Sequence, residues 1–395
     1  MKISLFLIFS GLIWLGFWLG LNVGKISSFV RSPRLPAIYL PSAGENMTPK
    51  QLQEALSNKN FTFINVHTPY EGEIAKTDLF INFDEMQANE KLLPQDKNTA
   101  IVLYCKTGNM SGQALSTLKK MGYTNVRHLA GGMDSWQKNG QAVLDLSKLT
   151  EQVLPKDGVT LPVNWGGLGP KLVAAGVIDL DKFTKATKLT DEQKKILSQG
   201  GEMPIKIDNS NSHFVVNVLW ALGLAQKSLV YDEGPLGKEY KNKAGNFAST
   251  GGWTLAKGTA TNYLNKFDLI PLTGDQQKKV GEIAKNIYRP CCGNPTWFPD
   301  CNHGMAALAV IELLVSQNLS ESEIYKYILG FNSFWFPDNY LTAATYFARQ
   351  GTKWDQVDAK RVLSAEFSSA KGASEVAKKV GPLPYANISG GSCGA

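Results

Sequence analysis

A chain of 395 residues with 43% hydrophobic residues is long enough for two or three domains, each with a core of its own. Its net charge of +7 is spread along the sequence without forming a basic block, which argues against a nucleic-acid partner. Five cysteines are an odd number and cannot all pair within the chain, so the sequence is not that of a disulfide-rich scaffold.

The first apolar stretch, residues 3–23, predicts a membrane helix, because about 20 apolar residues suffice to cross a bilayer. A cleaved signal peptide is the alternative. The aromatic residues of the stretch and the lack of an Ala-x-Ala-like site after it favour a retained, single-pass anchor over residues 1–24. Flanking basic residues lean slightly toward a cytoplasmic C-terminus, but anchored domains of the kind described below are often extracytoplasmic, which is the side we expect. The proline-rich residues 25–44 predict a stiff linker.

Residues 45–146 predict an α/β domain. Thr48, Pro49 and Gln51 have the types and spacing of a capping box with proline in the first turn of a helix. Apolar, β-branched runs indicate strands over residues 61–66, 80–83, 100–104 and 126–129. A helix is predicted from Ser111 to Met121, where Gly122 ends it. Alternating strands and helices imply a parallel sheet with helices on both faces.

Cys105 stands between the third of these strands and the helix that follows it. The free N–H groups of a helix N-terminus and the helix macrodipole favour a thiolate or a bound anion in such a loop. At the carboxyl end of a strand, the loop also lies where open α/β sheets place their ligands. A small buried residue at a strand end is the alternative interpretation of this cysteine.

The loop resembles the active loop of rhodanese-like domains, which read Cys-x-x-Gly-x-Arg-Ser; Cys105, Gly108, Asn109 and Ser111 match. Residues 63–74 are similar to the family's first strand and turn, and residues 126–140 are similar to its closing Leu-x-Gly-Gly-x-x-x-Trp pattern. The resemblance implies a sulfurtransferase in which Cys105 is the nucleophile and persulfide carrier, with a sulfur donor and a thiol acceptor, either small molecules or proteins, as partners. The implied substrate-binding loop consists of Lys106, Thr107, Gly108, Asn109, Met110 and Ser111.

Three positions depart from the family pattern. Met110 replaces the loop arginine, whose guanidinium would grip a sulfonate or phosphate. Asn65 and His67 replace an Asp/Arg pair on the first strand. Lys106 can supply a point charge, but with poorer geometry, so efficient use of thiosulfate is not expected. Ser111 stands where related tyrosine phosphatases need arginine, which argues against phosphatase chemistry.

Residues 147–395 predict a second, mainly α-helical domain. Its glycine-rich region around Trp253 lacks the spacing of a Rossmann or P-loop fingerprint, so no nucleotide is expected. Helices are expected over residues 169–177, 190–198, 212–225, 275–288, 304–316, 321–334 and 370–379.

A second chemical centre is indicated by Cys291, Cys292, Cys301 and His303, which lie within one short stretch. Thiolates and imidazole are ligands for zinc, copper or iron. Adjacent cysteines seldom both bind one tetrahedral ion, so vicinal cysteines suggest a thiophilic metal, Zn or Cu, or redox-active thiols. A structural disulfide between Cys301 and one of the adjacent pair is the alternative.

Cys393 lies in a glycine-rich tail and either folds back to complete this site or is incidental. His128, in the last predicted strand of the first domain, is expected to be a packing residue, with a role beside Cys105 as the alternative. The sequence as a whole predicts a membrane-anchored, rhodanese-like sulfurtransferase coupled to a Cys/His metal or redox centre. The alternative is a metal-binding or redox protein whose rhodanese-like module only docks.

Overall fold

The computed structural model of the protein describes residues 44–383. Of these, residues 45–383 belong to one compact unit. The predicted anchor and Cys393 lie outside the described residues, and so does the predicted linker apart from Gly44. Within residues 44–383, no helix has both the length and the apolar character that crossing a membrane requires.

The first part of the chain forms a five-stranded sheet of order β1-β5-β4-β2-β3, in which every pair of neighbours is parallel. Its strands are β1 (Asn46–Met47), β2 (Thr62–Asn65), β3 (Leu79–Phe80), β4 (Ile101–Tyr104) and β5 (Val126–Leu129). All four residues of the central strand β4 are buried, as expected for a parallel strand covered on both faces. The predicted parallel α/β fold is confirmed.

Three helices accompany the sheet: α1 (Pro49–Ser57), α2 (Asn109–Lys120) and α3 (Gly132–Lys138). The predicted capping box of α1 is present, with Thr48 and Gln51 bonded reciprocally. Helix α2 begins two residues before the predicted Ser111, because Gly108 turns the chain with φ = +95° and so allows the helix to start at once.

The remainder is mainly helical, as predicted. Its helices are α4 (Leu149–Val153), α5 (Leu168–Ala174), α6 (Leu180–Thr187), α7 (Asp191–Ser198), α8 (Ser212–Ala225), α9 (Leu229–Glu233), α10 (Pro235–Lys238), α11 (Gly274–Ala284), α12 (Asn302–Ser316), α13 (Glu321–Trp335), α14 (Pro337–Arg349), α15 (Ala359–Val362), α16 (Ala365–Ser368) and α17 (Ala370–Val380). Short 3-10 helices lie at Glu90–Leu92, Leu146–Lys148, Lys241–Asn246, Ala260–Asn262 and Trp354–Gln356. An antiparallel pair, β6 (Val159–Gly166) and β7 (Gly201–Ile207), was not predicted from the sequence.

Helices α8 and α12 form the centre of the helical part. Residues 303–315 of α12 and 214–225 of α8 are buried on every face, which is typical of a helix that is apolar all round. Helix α11 ends at Ala284, four residues before the predicted end, because the Ala284 carbonyl accepts a hydrogen bond from the Trp297 N–H of the loop that follows. That loop carries the three cysteines and leads directly into α12.

A buried ion pair joins the first part of the chain to the helical part. Arg349 donates from Nε to Glu73 Oε1 at 2.7 Å and from Nη2 to Glu73 Oε2 at 3.1 Å, in a bidentate arrangement. Its Nη1 also donates to the carbonyls of Asp78, at 2.9 Å, and Val380, at 2.7 Å. Both charged side chains are almost fully buried. We call Glu73 and Arg349 the clamp.

Candidate functional site

Cys105 follows the last residue of β4, at the carboxyl end of the central strand. Its Sγ accepts hydrogen bonds from the backbone N–H groups of Gly108, at 3.1 Å, and Ser111, at 3.4 Å. Two amides that converge on one sulfur stabilise negative charge there. The cysteine residue is only 1% exposed, so its sulfur lies at the floor of the loop.

The first turn of α3 holds the loop in place. The N–H groups of Met133 and Asp134 donate to the carbonyls of Cys105, at 2.9 Å, and Lys106, at 3.0 Å. Gly132 makes this approach possible, because a Cβ at this position would stand 2.2 Å from the Cys105 carbonyl oxygen. The closing Gly-Gly pair therefore supports the geometry of the reactive loop.

A contact with His128 extends the site beyond the loop. The Ser111 hydroxyl lies 3.6 Å from Cys105 Sγ and 3.0 Å from His128 Nδ1. Burial lowers the pKa of His128, which favours the neutral imidazole. The sequence analysis expected a packing residue. The register of β5 beside β4, with Leu103 opposite His128, places His128 next to the loop that follows β4. This strand pairing cannot be inferred from the spacing of the residues along the chain.

At the mouth of the loop, Lys106 forms an ion pair with Glu71, whose second oxygen lies 3.5 Å from His67 Nε2. The hydrogen bond from Lys106 lowers the pKa of Glu71, so this carboxylate stays charged. The Lys106 ammonium is thus shared with a carboxylate and is not free to bind a substrate anion alone.

The positions that depart from the family pattern have local roles. Met110 is partly buried and packs against the core of the first part, where the family has arginine. Asn65 is fully buried; its amide donates to the Gly72 carbonyl at 2.9 Å, and its Oδ1 accepts the His67 N–H at 3.0 Å. Thr107 and Asn109 are exposed on the loop.

The second predicted site is present as a cluster of three sulfurs, which we call the trithiol cluster: Cys291, Cys292 and Cys301. Cys301 Sγ lies 3.6 Å from Cys291 Sγ and 3.9 Å from Cys292 Sγ, and all three sulfurs are within 4.8 Å of one another. All three are free thiols in the structure, which therefore does not contain the alternative disulfide between Cys301 and one of the adjacent pair. Their side chains are partly exposed.

A fully buried arginine, Arg289, accompanies the trithiol cluster and was missed by the sequence analysis. Its Nη2 lies 3.1 Å from Cys292 Sγ, 3.5 Å from Cys301 Sγ and 3.3 Å from Asp300 Oδ1. The Cys301 Sγ also accepts the Gly304 N–H at 3.3 Å, as the N-cap of α12. Hydrogen bonds from the neighbouring thiols, the charge of Arg289 and this N–H together lower the pKa of Cys301.

The structure does not bring His303 into the cluster. Its Nδ1 lies 2.9 Å from Asn302 Oδ1, and its ring packs against Phe336 and Trp335, with centroids 4.5 and 5.8 Å away. Burial lowers the pKa of His303 to about 4, so the imidazole is neutral. The prediction that His303 is a ligand is therefore wrong for this arrangement, because its ring nitrogens are not within reach of the trithiol cluster. Cys393 lies outside the described residues.

The comparisons with known proteins concern the first part of the chain. A family model of the rhodanese-like domain matches residues 48–139. The probable adenylyltransferase/sulfurtransferase MoeZ of Mycobacterium tuberculosis is 38% identical over 106 residues, 25% of this chain and 26% of that protein. The thiosulfate sulfurtransferase PspE of Escherichia coli is 36% identical over 73 residues, 18% of this chain and 69% of that protein.

A rhodanese-related protein from Thermoplasma volcanium, known from a crystal structure, is 28% identical, with a TM-score of 0.23, and the match covers 26% of this chain and 98% of that one. The chain spans about a quarter of the length of the MoeZ relatives. The family model ends at residue 139, before the helical part begins.

Proposed function

Residues 48–139 make the chain a member of the rhodanese-like family, and we propose that it is a sulfurtransferase in which Cys105 carries sulfur as a persulfide. The single observation that supports this most is the pair of N–H groups, from Gly108 and Ser111, aimed at Cys105 Sγ. The same N–H groups that stabilise a thiolate also stabilise the anionic sulfur of a persulfide.

The transfer has two balanced steps. The Cys105 thiolate attacks the outer sulfur of a sulfane donor; the bond between that sulfur and its leaving group breaks, and the leaving group departs with the electron pair. An acceptor thiolate then attacks the terminal sulfur of the persulfide, and Cys105 leaves as a thiolate. The thiol proton of Cys105 is transferred to His128 through the Ser111 hydroxyl, which lies within reach of both.

The loop favours donors of low charge. Met110 offers no guanidinium for a sulfonate, and Lys106 is paired with Glu71. We therefore propose a persulfide, of a small molecule or a protein, as the donor and a thiol as the acceptor, with thiosulfate as a poor donor.

The trithiol cluster is the second centre of the proposal, a metal or redox site to which sulfur transfer at Cys105 would be coupled. Residues 1–24 would anchor the chain in a membrane, with the soluble part extracytoplasmic; extraction of membranes at alkaline pH, which releases peripheral but not anchored proteins, tests this. A second candidate function is that of a non-catalytic docking module, favoured by Met110 in place of arginine and by the 1% exposure of Cys105.

The test measures the sulfane sulfur that cyanide removes from the purified full chain after incubation with a persulfide donor. We expect about one equivalent, located on Cys105 by peptide mass spectrometry and lost in Cys105→Ser. Cys291→Ser is the matched control, since it removes a thiol that makes no hydrogen bond to the Cys105 loop, and it should load normally. Equal loading of Cys105→Ser and the wild type would refute Cys105 as the sulfur carrier, and no loading of the wild type would favour the docking module.

A further inference from the structure

The trithiol cluster has the dimensions of a metal site. Thiolates bound to zinc at about 2.3 Å form the edges of a tetrahedron about 3.8 Å long. The separations of Cys301 Sγ from Cys291 Sγ and Cys292 Sγ are 3.6 and 3.9 Å, and all three sulfurs lie within 4.8 Å of one another. Neighbouring side chains normally diverge, yet Cys291 and Cys292 both turn toward Cys301. Two of the three sulfur separations thus match the edges of such a tetrahedron, and the third lies within 4.8 Å.

The surroundings of two of these sulfurs, those of Cys292 and Cys301, favour negative charge. The Arg289 side chain is fully buried, and its guanidinium is within 3.5 Å of both of them. Gly304 leaves room for that guanidinium, since a Cβ there would stand 2.6 Å from Arg289 Nη2. The Gly304 N–H adds a hydrogen bond at the N-terminus of α12. Arg289 is paired with Asp300 at 3.3 Å, and the same Nη2 also faces Cys292 and Cys301, so its charge stabilises thiolates at these two positions as well.

We infer that Cys291, Cys292 and Cys301 bind one soft divalent metal ion of the zinc type through three thiolates, with Arg289 as a fixed counter-charge. Sulfur-only donors select soft ions over magnesium, calcium or manganese. Among the described residues, no other cysteine, histidine or carboxylate joins the group. We assign the fourth coordination position to solvent or an exogenous thiol, and the Cys393→Ser variant tests the alternative that the tail cysteine supplies it. Three protein ligands with an open position are typical of reactive or exchangeable sites, not of closed structural ones.

This inference depends on the part of the proposed function that makes the trithiol cluster a chemical centre, and it is independent of Cys105. The experiment uses the full chain, reduced and freed of metal by a chelator, and titrates it with Co²⁺ and then with Zn²⁺. We expect one Co²⁺ per chain with sulfur-to-cobalt charge-transfer absorption in the near ultraviolet, and displacement of this absorption by one equivalent of Zn²⁺.

The variants distinguish the cluster from the other thiols. Cys291→Ser and Cys301→Ser should each lose the charge-transfer band and bind Zn²⁺ at least 100-fold more weakly. Cys301→Ser is the sharper test, because a serine oxygen still caps α12 and the fold is retained. Cys105→Ser and Cys393→Ser should bind as the wild type does. Arg289→Lys should weaken binding about 10- to 100-fold, as loss of an outer partner does.

Two results would overturn the inference: Co²⁺ bound without charge-transfer absorption, or Zn²⁺ affinity unchanged in Cys301→Ser. Formation of a disulfide between Cys301 and either neighbour in air, with no metal bound by the reduced chain, would show a redox-active pair instead. Persulfide loading of Cys105, measured on the same preparations, separates failure of the metal site from failure of the proposed sulfur transfer.

Discussion

Replacing Arg349 with methionine removes the cationic half of the clamp and leaves Glu73 buried without its partner. The two carbonyls that Arg349 Nη1 contacts, of Asp78 and Val380, lose a donor as well. Breaking a buried pair in this way costs about 3–5 kcal/mol, because an uncompensated charge stays in the interior. We expect the free energy of unfolding of Arg349→Met to fall by that amount at pH 8, measured by urea denaturation.

The pH dependence tests the cause. Burial raises the pKa of Glu73 above its ordinary value even with Arg349 present, and removal of the guanidinium raises it further. For an acid whose pKa is raised on folding, stability is full below the unfolded value of 4.5 and is lost as the pH rises through the folded value. The deficit of Arg349→Met should therefore shrink on acidification from pH 8 toward pH 5.

A double variant supplies the control. Glu73→Leu combined with Arg349→Met replaces the pair by apolar side chains and should recover most of the loss, since apolar replacement of a buried pair is often neutral. A deficit below about 1 kcal/mol in the single variant, or a deficit that does not change with pH, would refute the assignment of the clamp as the cause.

Three further predictions concern the site and the core. Gly132→Ala should reduce persulfide loading of Cys105 several-fold, because its Cβ would strike the Cys105 carbonyl. Gly122→Ala, at φ = +90° with open space around it, is the matched control and should cost about 1–2 kcal/mol in urea denaturation without loss of loading. Met110→Arg should raise kcat/KM for thiosulfate at least about tenfold in the cyanide assay, since a hydrogen bond to a charged group contributes about 1.5–3 kcal/mol; Met110→Leu should not change it. Burial raises the pKa of Glu312 to about 8, so between pH 5 and pH 8 this carboxyl is ionised in the unfolded chain and still protonated in the folded one. Its contribution to stability should therefore fall by about 1.4 kcal/mol per pH unit over this range, and Glu312→Gln should change the slope of wild-type stability against pH by that amount.

The parts of the site that follow from neighbouring residues could be predicted from the sequence. The strand, Cys105 and the helix N-terminus lie within a dozen residues, so local rules place the amides near the sulfur. The clustering of Cys291 and Cys292 with Cys301 is likewise a property of one short loop. The helix limits differ by a few residues, because glycine turns and loop hydrogen bonds decide where each helix begins or ends.

The parts that were missed, or that stood only as an alternative as His128 did, depend on contacts made by the fold as a whole. His128 meets Ser111, 17 positions away, through strand register, and Arg349 meets Glu73 across 276 positions. Arg289 lies close to the cysteines in sequence and is fully buried in the structure. Because arginine is seldom fully buried, its residue type gave no reason to expect it next to the sulfurs.

The ion pair of Lys106 with Glu71 leaves the entrance to the reactive loop with little net charge. An active site with little net charge does not attract charged substrates electrostatically from a distance. The association rate of such substrates then depends little on ionic strength. Binding of the sulfur donor would thus depend on shape complementarity and direct contact at the surface. Such a site is better suited to receiving sulfur from a docked protein partner than to binding free anions from solution.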